Sequence, residues 1–519
     1  MNFQVRRQSA ESFTAAVPVA QNARAPGWIY RELGIEPVIN CGGVRSTFGG
    51  SNPRPEVIEA MTAAAEAFVD IDELAEAAGR RLATLTGAEW GIITSCSMAA
   101  MALATAACLA GNDPEIMVRL PDTRGLPNKV VIPKNQRFAY DFVFRTVGAE
   151  LVTVETPDEL AMALDGSVIM VCVLGRATAQ GPLSLQKIVE IAKSKKVPVL
   201  VDAAAQTPTS LDPWLAQGAD LVTYAGGKFV RGPQSTGFLL GSKRLCQAAW
   251  LNGPPHQAFG RAMKLGKEEI VGALVALDHF LNVRNAESEH QAMLARLDQV
   301  AAPFEAVQWA TTEVVPANAG WIAPRLRITW DPAVVHIDPE AIRIAMSDAR
   351  PRIHIHDFWS KENSILIDPF NLADDQARVV GRALYKFLDE SRLTDRRPVS
   401  GPAADVAGSW TVSVSFLQGR SEHKLELSVS GGSISGWHVT RHSRGAVTGS
   451  IDGRSVNLLA KHPGEPAPIY YTFEGRVVGG IMTGDVALGA ATQEHFGAVF
   501  NRQFGTIPWS ARRDVGRSE

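Results

Sequence analysis

An α/β domain built on a mostly parallel sheet, followed by a small all-β domain, is the architecture that this 519-residue sequence predicts. Three observations carry the prediction. Short apolar runs between Gly87 and Gly241 alternate with helical or loop stretches, as βα units do. A stretch rich in Pro, Ala and polar residues interrupts the chain at 394–407, as a linker would. Beyond it the apolar residues alternate with period two between glycine-rich turns, the pattern of a small antiparallel barrel or sandwich.

The elements follow in order. Residues 1–30 read as a loosely ordered arm. The apolar runs Trp90 to Thr94, Lys129 to Ile132, Leu151 to Val154, Val168 to Leu174, Val199 to Asp202, Leu221 to Tyr224 and Thr236 to Leu240 predict seven strands of a large domain spanning 31–260. Leu185 to Lys195 has helical apolar spacing with its lysines on a solvated face. A further amphipathic helix begins at Glu268, and Arg325 to Leu388 mixes strand and helix signals, giving a smaller domain at 261–393. After the linker, Trp410 to Phe416, Lys424 to Val429, Ala446 to Ile451 and Ile469 to Phe473 are expected as strands of an antiparallel domain at 408–510.

Composition narrows the function. A net charge of -3, from 51 basic and 54 acidic residues, gives no electrostatic case for a nucleic-acid or membrane partner. Five cysteines without CxxC spacing read as reduced thiols and point to the cytoplasm. The arginine pair near the N-terminus is followed by no continuous apolar stretch, and no later segment is apolar enough to span a bilayer.

Lys228 carries the chemistry. It lies between glycines and two apolar runs, so it is expected at a strand end where glycine backbone lets a flat ring approach and a Schiff base form with an aldehyde. Asp202 closes another buried strand and precedes three alanines, a setting that suits the pyridinium nitrogen of pyridoxal phosphate (PLP). Thr94-Ser-Cys-Ser97 precedes a small-residue helix, so Ser95, Cys96 and Ser97 are candidates to hold a phosphate at a helix N-terminus, with Cys96 a backbone donor rather than a nucleophile.

The ordered motifs Pro37-Val-Ile-Asn40, Asp70-Ile-Asp-Glu-Leu74, Leu85-Thr-Gly-Ala88, Thr94 to Ala100, Val201 to Ala205, Gly227 to Gln234 and Met263 to Gly272 resemble the selenocysteine synthase-like family of PLP enzymes over roughly residues 30 to 390, with more likeness to its ammonia-lyase branch. The resemblance implies the aspartate-aminotransferase fold with large and small domains, Lys228 as the cofactor-linked lysine and Asp202 as the partner of the ring nitrogen. It also implies a homodimer or larger assembly. Ala225 stands where many relatives carry a phosphate-binding serine.

Arg352 is the expected substrate carboxylate ligand, because a planar fork binds a carboxylate bidentately, with Arg350 as its rival. Arg45, Tyr140 and Gln234 are further pocket candidates, and Arg261 and Lys264 could reach a phosphate or a neighbouring subunit. His354 and His356 alternate as on a strand face without a third ligand, so no metal site is expected. The expected activity is that of a PLP-dependent lyase on a small amino acid or amino sugar acid, by Cα deprotonation and β-elimination. A racemase or aldolase is the alternative, and a non-catalytic binding or scaffold protein on the same fold is the alternative of another class.

Overall fold

The structure, a computed structural model, describes residues 27–179, 181–318, 321–355, 363–392, 403–465, 467–491, 499–500 and 504–514. The arm at 1–26, most of the linker and His356 lie outside the described residues.

Val38–Cys41 forms β1, and seven strands make the central sheet: β2 (Trp90–Thr94), β3 (Lys129–Pro133), β4 (Glu150–Val154), β5 (Val168–Leu174), β6 (Val199–Asp202), β7 (Leu221–Ala225) and β8 (Gly237–Gly241). Their order is β2-β8-β7-β6-β5-β3-β4. All neighbours are parallel except β8, which runs antiparallel between β2 and β7. The sheet is covered on both faces, which is why β5 is buried at every residue and reads as a continuous apolar run. Its side chains divide between two cores, Val171 and Val173 on one face and Met170 and Cys172 on the other.

Helix boundaries follow capping chemistry. Asp70, Thr156, Ser184 and Asp212 each accept backbone N–H groups from the first turn of the helix that they precede. The helix Ser97–Ala110 is nearly all small residues and buried around most of its circumference, so it lies directly against the sheet.

The second part of the fold pairs β9 (Ala310–Val315), β10 (Arg325–Trp330) and β12 (Ser364–Ile367) as an antiparallel sheet, with β11 (Arg352–Ile355) parallel to β1. Cys41 of β1 is buried in the core of this part, together with Ile353 and Leu384. The expected division at residue 260 therefore does not describe the packing: residues 38–41 belong with the later sheet, and the helix Lys267–Asp278 buries Ile270 and Ala273 in a core of the central sheet.

The C-terminal part is a closed barrel. Strands β13 (Gly408–Phe416), β14 (Gly419–Ser430), β15 (Ser433–Val439), β16 (Arg444–Asp452), β17 (Ser455–His462), β18 (Ile469–Val478) and β19 (Ile481–Ala491) follow one another antiparallel. The two-residue β20 (Val499–Phe500) adds to the end of β19, and β21 (Thr506–Arg513) pairs with both β19 and β13 to close the ring. Four of these strands match the runs expected from sequence, and β15, β17, β19 and β21 are additional.

Inside one end of the barrel, three buried histidines form a hydrogen-bonded chain. His423 Nδ1 lies 3.0 Å from His438 Nε2, His438 Nδ1 lies 2.8 Å from His462 Nε2, and His462 Nδ1 lies 2.7 Å from Ser443 Oγ. Gly445 makes the room: a Cβ there would come within 2.4 Å of His462 Cδ2. His438 engages both ring nitrogens in opposite directions, so the three rings do not converge on one point as metal ligands would. Neutral rings must instead donate in a single direction along the chain.

Burial first, and the neighbouring rings second, hold His423 down to about 4 and His438 to about 2, against an ordinary 6.5; burial also lowers His462. The folded barrel therefore binds fewer protons than the unfolded chain below pH 6.5. Its stability is full above that pH and falls as pH drops towards 4, by at most about 1.4 kcal/mol per pH unit each for His423 and His438, with His462 acting in the same direction. The barrel's melting temperature in the full chain should fall between about pH 7.5 and about pH 5, and His438→Phe should flatten that dependence. A pH-independent melting temperature in the unsubstituted protein would contradict the buried neutral chain.

Candidate active site

The candidate site lies at the carboxyl ends of β5, β6 and β7, where open α/β sheets place ligands. Asp202 ends β6 with a backbone N–H from Ala204 on its carboxylate at 2.9 Å. Lys228 follows β7 in a closed loop: Gly232 N donates to Gly226 O, and Arg231 N to Lys228 O with Arg231 at φ 60°. Gly226 and Gly227 permit this path. A Cβ on Gly227 would lie 2.3 Å from Gln234 Cα, and one on Gly226 2.3 Å from Thr236 Oγ1.

A second segment, residues 42–51, straps the lysine loop from outside. Ser51 Oγ donates to Lys228 O at 2.6 Å, Ser51 N to Gly227 O at 3.1 Å, and Gln234 Nε2 to Ser46 O at 3.1 Å. Asn371 Nδ2 donates to Gly43 O and Gly50 O, tying the strap to the second part of the fold. Phe229, beside the lysine, meets Trp321 and Phe370 edge-on. Trp321 Nε1 in turn donates to buried Asp368 at 2.7 Å. Burial raises the Asp368 carboxyl to about 6, against the Phe370 N–H, the Trp321 N–H and nearby Arg325.

Lys228 and Asp202 perturb one another. Burial raises the Asp202 carboxyl, opposed by its Ala204 hydrogen bond, by Lys228 and by Arg176. Burial likewise lowers Lys228; Asp202 opposes that shift and Arg176 adds to it. Arg176 sits in the 3-10 turn Gly175–Ala177 just after β5 and was missed in the sequence. Its signal was a basic residue placed two positions beyond an all-apolar strand.

The other expected residues divide. Ser95, Cys96 and Ser97 stand half-buried before the helix Ser97–Ala110. Cys96 Sγ accepts the Ala99 N–H and so caps the helix, in addition to the backbone role expected for this residue. Gly237 of β8 packs on this turn so closely that a Cβ would lie 2.4 Å from Cys96 C and 2.5 Å from Ser97 N. Arg45 and Gln234 belong to the strap and the loop it covers. Tyr140 is 53% exposed and neighbours Arg176. Arg137, three residues earlier, pairs with buried Asp141 and with Glu465 of the barrel's β17 to β18 loop.

Arg352, expected as the carboxylate ligand, stands at the start of β11. Its guanidinium donates to the carbonyls of Ser347 and Glu36, and its register partner is Val38, whereas β1 leads into the strap from its other end, at Cys41. The ladder puts the residue at the end of β11 away from the strap. His354 stacks on Phe48 of the strap and meets Ser347 Oγ. Among the described residues no group of three or more His, Cys, Asp or Glu could hold a metal ion, and no helix is long and apolar enough to cross a membrane.

The residues present fit PLP. A carboxylate and a lysine meet at adjoining strand ends, and a helix N-terminus lies nearby under Gly237. Beside Asp202, the hydroxyl of its register partner Thr223 and Oε1 of Gln206 are buried without a hydrogen-bond partner. Such a sheet, with such a site, defines a PLP-dependent enzyme of the aspartate-aminotransferase fold, and PLP is its cofactor. Residues 74–244 match the family of Cys/Met metabolism PLP-dependent enzymes. The chain is 30% identical to D-glucosaminate-6-phosphate ammonia lyase of Salmonella typhimurium, over 70% of this chain and 98% of that protein. It is 31% identical to 5'-C-glycyluridine monooxygenase-decarboxylase of a Streptomyces species, over 69% of this chain and 92% of that protein. A solved structure of D-glucosaminate-6-phosphate ammonia-lyase superposes with a TM-score of 0.63 at 28% identity, covering 70% of this chain and 98% of that one. The chain belongs to the selenocysteine synthase-like family of PLP-dependent enzymes.

Two outcomes test the geometry. Borohydride reduction of the holoprotein should fix the cofactor on the peptide containing Lys228, and Lys228→Ala should lose both that adduct and the visible absorbance band; an adduct at another lysine would remove Lys228 from the site. Gly237→Ala should weaken PLP binding about tenfold or more in a fluorescence titration, because its Cβ displaces the helix N-terminus rather than a flexible side chain.

Proposed function

We propose that the protein is a PLP-dependent lyase acting on a small amino acid or amino sugar acid, by removal of the Cα proton and loss of a β substituent. The observation that carries this reading is the placement of Asp202 at the end of β6 and of Lys228 in the closed loop after the adjoining β7. When bound, PLP supplies an electron sink conjugated to the substrate's Cα. Asp202, anchored by Ala204 N–H, holds the ring nitrogen protonated. Lys228 would anchor the cofactor and, as a free amine, would move the Cα proton. Its lowered pKa favours the neutral amine, which is the form able to accept that proton. Ser95, Ser97 and the helix N-terminus would hold the phosphate, with Cys96 Sγ left as the cap.

The likeness to an ammonia lyase supports elimination over racemisation or aldol cleavage, which begin at the same carbon. The monooxygenase-decarboxylase relative favours a second reading, in which the Cα carboxyl bond breaks and oxygen is consumed. A screen of amino acids and amino sugar acids decides between them. Elimination gives equimolar ammonia and 2-oxo acid without oxygen uptake. Carbon dioxide with oxygen uptake would establish the second reading, and inverted stereochemistry or aldehyde release would establish a racemase or an aldolase. Asp202→Ala should keep bound PLP and lose turnover at least about a hundredfold; a rate equal to that of the unsubstituted protein would assign the ring nitrogen to another residue.

A further inference from the structure

We propose that Arg176 is the carboxylate-binding residue of the cleft, the guanidinium that fixes the α-carboxylate of an amino acid substrate beside Lys228. The proposal rests on the reading of the substrate as an amino acid. It stands first on where the sheet puts this side chain. Across the carboxyl edge the order of strands is β8, β7, β6, β5, so Lys228 after β7, Asp202 on β6 and Arg176 after β5 stand in a row. Leu174, the last residue of β5, is in register with Asp202, and only Gly175 separates it from Arg176. Gly175 lies on the Asp202 end of β6 so closely that a Cβ would come within 3.2 Å of Asp202 O and 2.6 Å of Gln206 Oε1.

Gly175 and Ala177 are buried, while Arg176 between them is exposed as a residue, at the carboxyl edge of the sheet. There it interacts electrostatically with Asp202, Lys228 and Tyr140 together. Asp202 stands between the two cations and offsets one positive charge of the pair, so a second anion is favoured beside them, and a carboxylate is the anion that every amino acid brings next to Cα. The planar fork can take both of its oxygens, which fixes the Cα face as well as its position.

The other arginines considered fit the role less well. Arg352 is occupied by the carbonyls of Ser347 and Glu36, and Arg325 is buried over Trp321. Arg45 on the strap is the rival that the experiment must separate.

The test compares two reagents that differ in a carboxylate, aminooxyacetate and O-methylhydroxylamine, on the holoprotein. With either one the aminooxy nitrogen forms a C=N bond to the cofactor's aldehyde carbon, the bond from that carbon to Lys228 Nζ breaks, and the two aminooxy protons leave with the lysine as its free amine. Loss of the visible band reports the exchange without any turnover. The unsubstituted protein should react with aminooxyacetate at least about tenfold faster, or at correspondingly lower concentration, since only that reagent offers the guanidinium a carboxylate for a charged hydrogen-bonded pair. Arg176→Gln should abolish that preference while retaining the band, Arg176→Lys should restore part of it, and Arg352→Gln should keep it whole. Preference retained in Arg176→Gln, or lost in Arg45→Gln with Arg176 intact, would overturn the proposal, as would no preference in the unsubstituted protein. A normal carboxylate preference with no ammonia released from any substrate would sink the lyase reading and leave the role of Arg176 standing. Indifference to both reagents would overturn Lys228 and Arg176 alike.

Discussion

Burial sets Lys228 and Asp202 against their surroundings, and their attraction for one another is the counterweight. Burial pushes each towards its neutral form, and the charge of each opposes that shift in the other. The sheet supplies the geometry for this opposition. Parallel β6 and β7 end together, so a residue at one end and a loop after the other meet without any side chain having to reach far. The glycines of the lysine loop, the strap over it and the capped helix behind Gly237 are what hold that meeting in place.

The strap also explains why the two halves of the catalytic body are interleaved in sequence. Residues 42–51 leave β1, which is paired to β11, and cross to the lysine loop on β7. Asn371 and the Trp321 to Asp368 pair grip it from the later half. A shift of the later sheet relative to the central one is therefore felt at Lys228 through backbone hydrogen bonds. Asp368, whose carboxyl titrates near 6, is the one member of that grip whose charge changes close to neutrality.

Much of the fold was legible because burial on both faces leaves a continuous apolar run, as in β5 and β6, and because Lys228 and Asp202 sit at the ends of such runs. The barrel was half legible. In β15 and β19, glycines and serines interrupt the alternation that marked β13 and β14, and register alone brings His423, His438 and His462 together from three separate strands. Arg352 shows the limit of reasoning from residue type. A guanidinium suited to a carboxylate was visible, but which end of a two-residue-period ladder it occupies depends on the partner strand. Arg176 shows the converse, a residue unremarkable in sequence whose place is given by the strand order.

The barrel has a different consequence for the molecule. Among the described residues, the eight strands of the ring are each paired on both sides and the one short extension, at the end of β19, is taken by β20, so little edge is left for a partner to extend the sheet. Relatives covered almost to their full length match only about seven tenths of this chain, which leaves room for such a ring beyond them. Whatever the ring says to the catalytic body must be spoken by its loops. The turn carrying Glu465 already touches Arg137, three residues from Tyr140 at the cleft, so substitutions in that turn could retune the cleft's entrance while every hydrogen bond of the ring stays where it is.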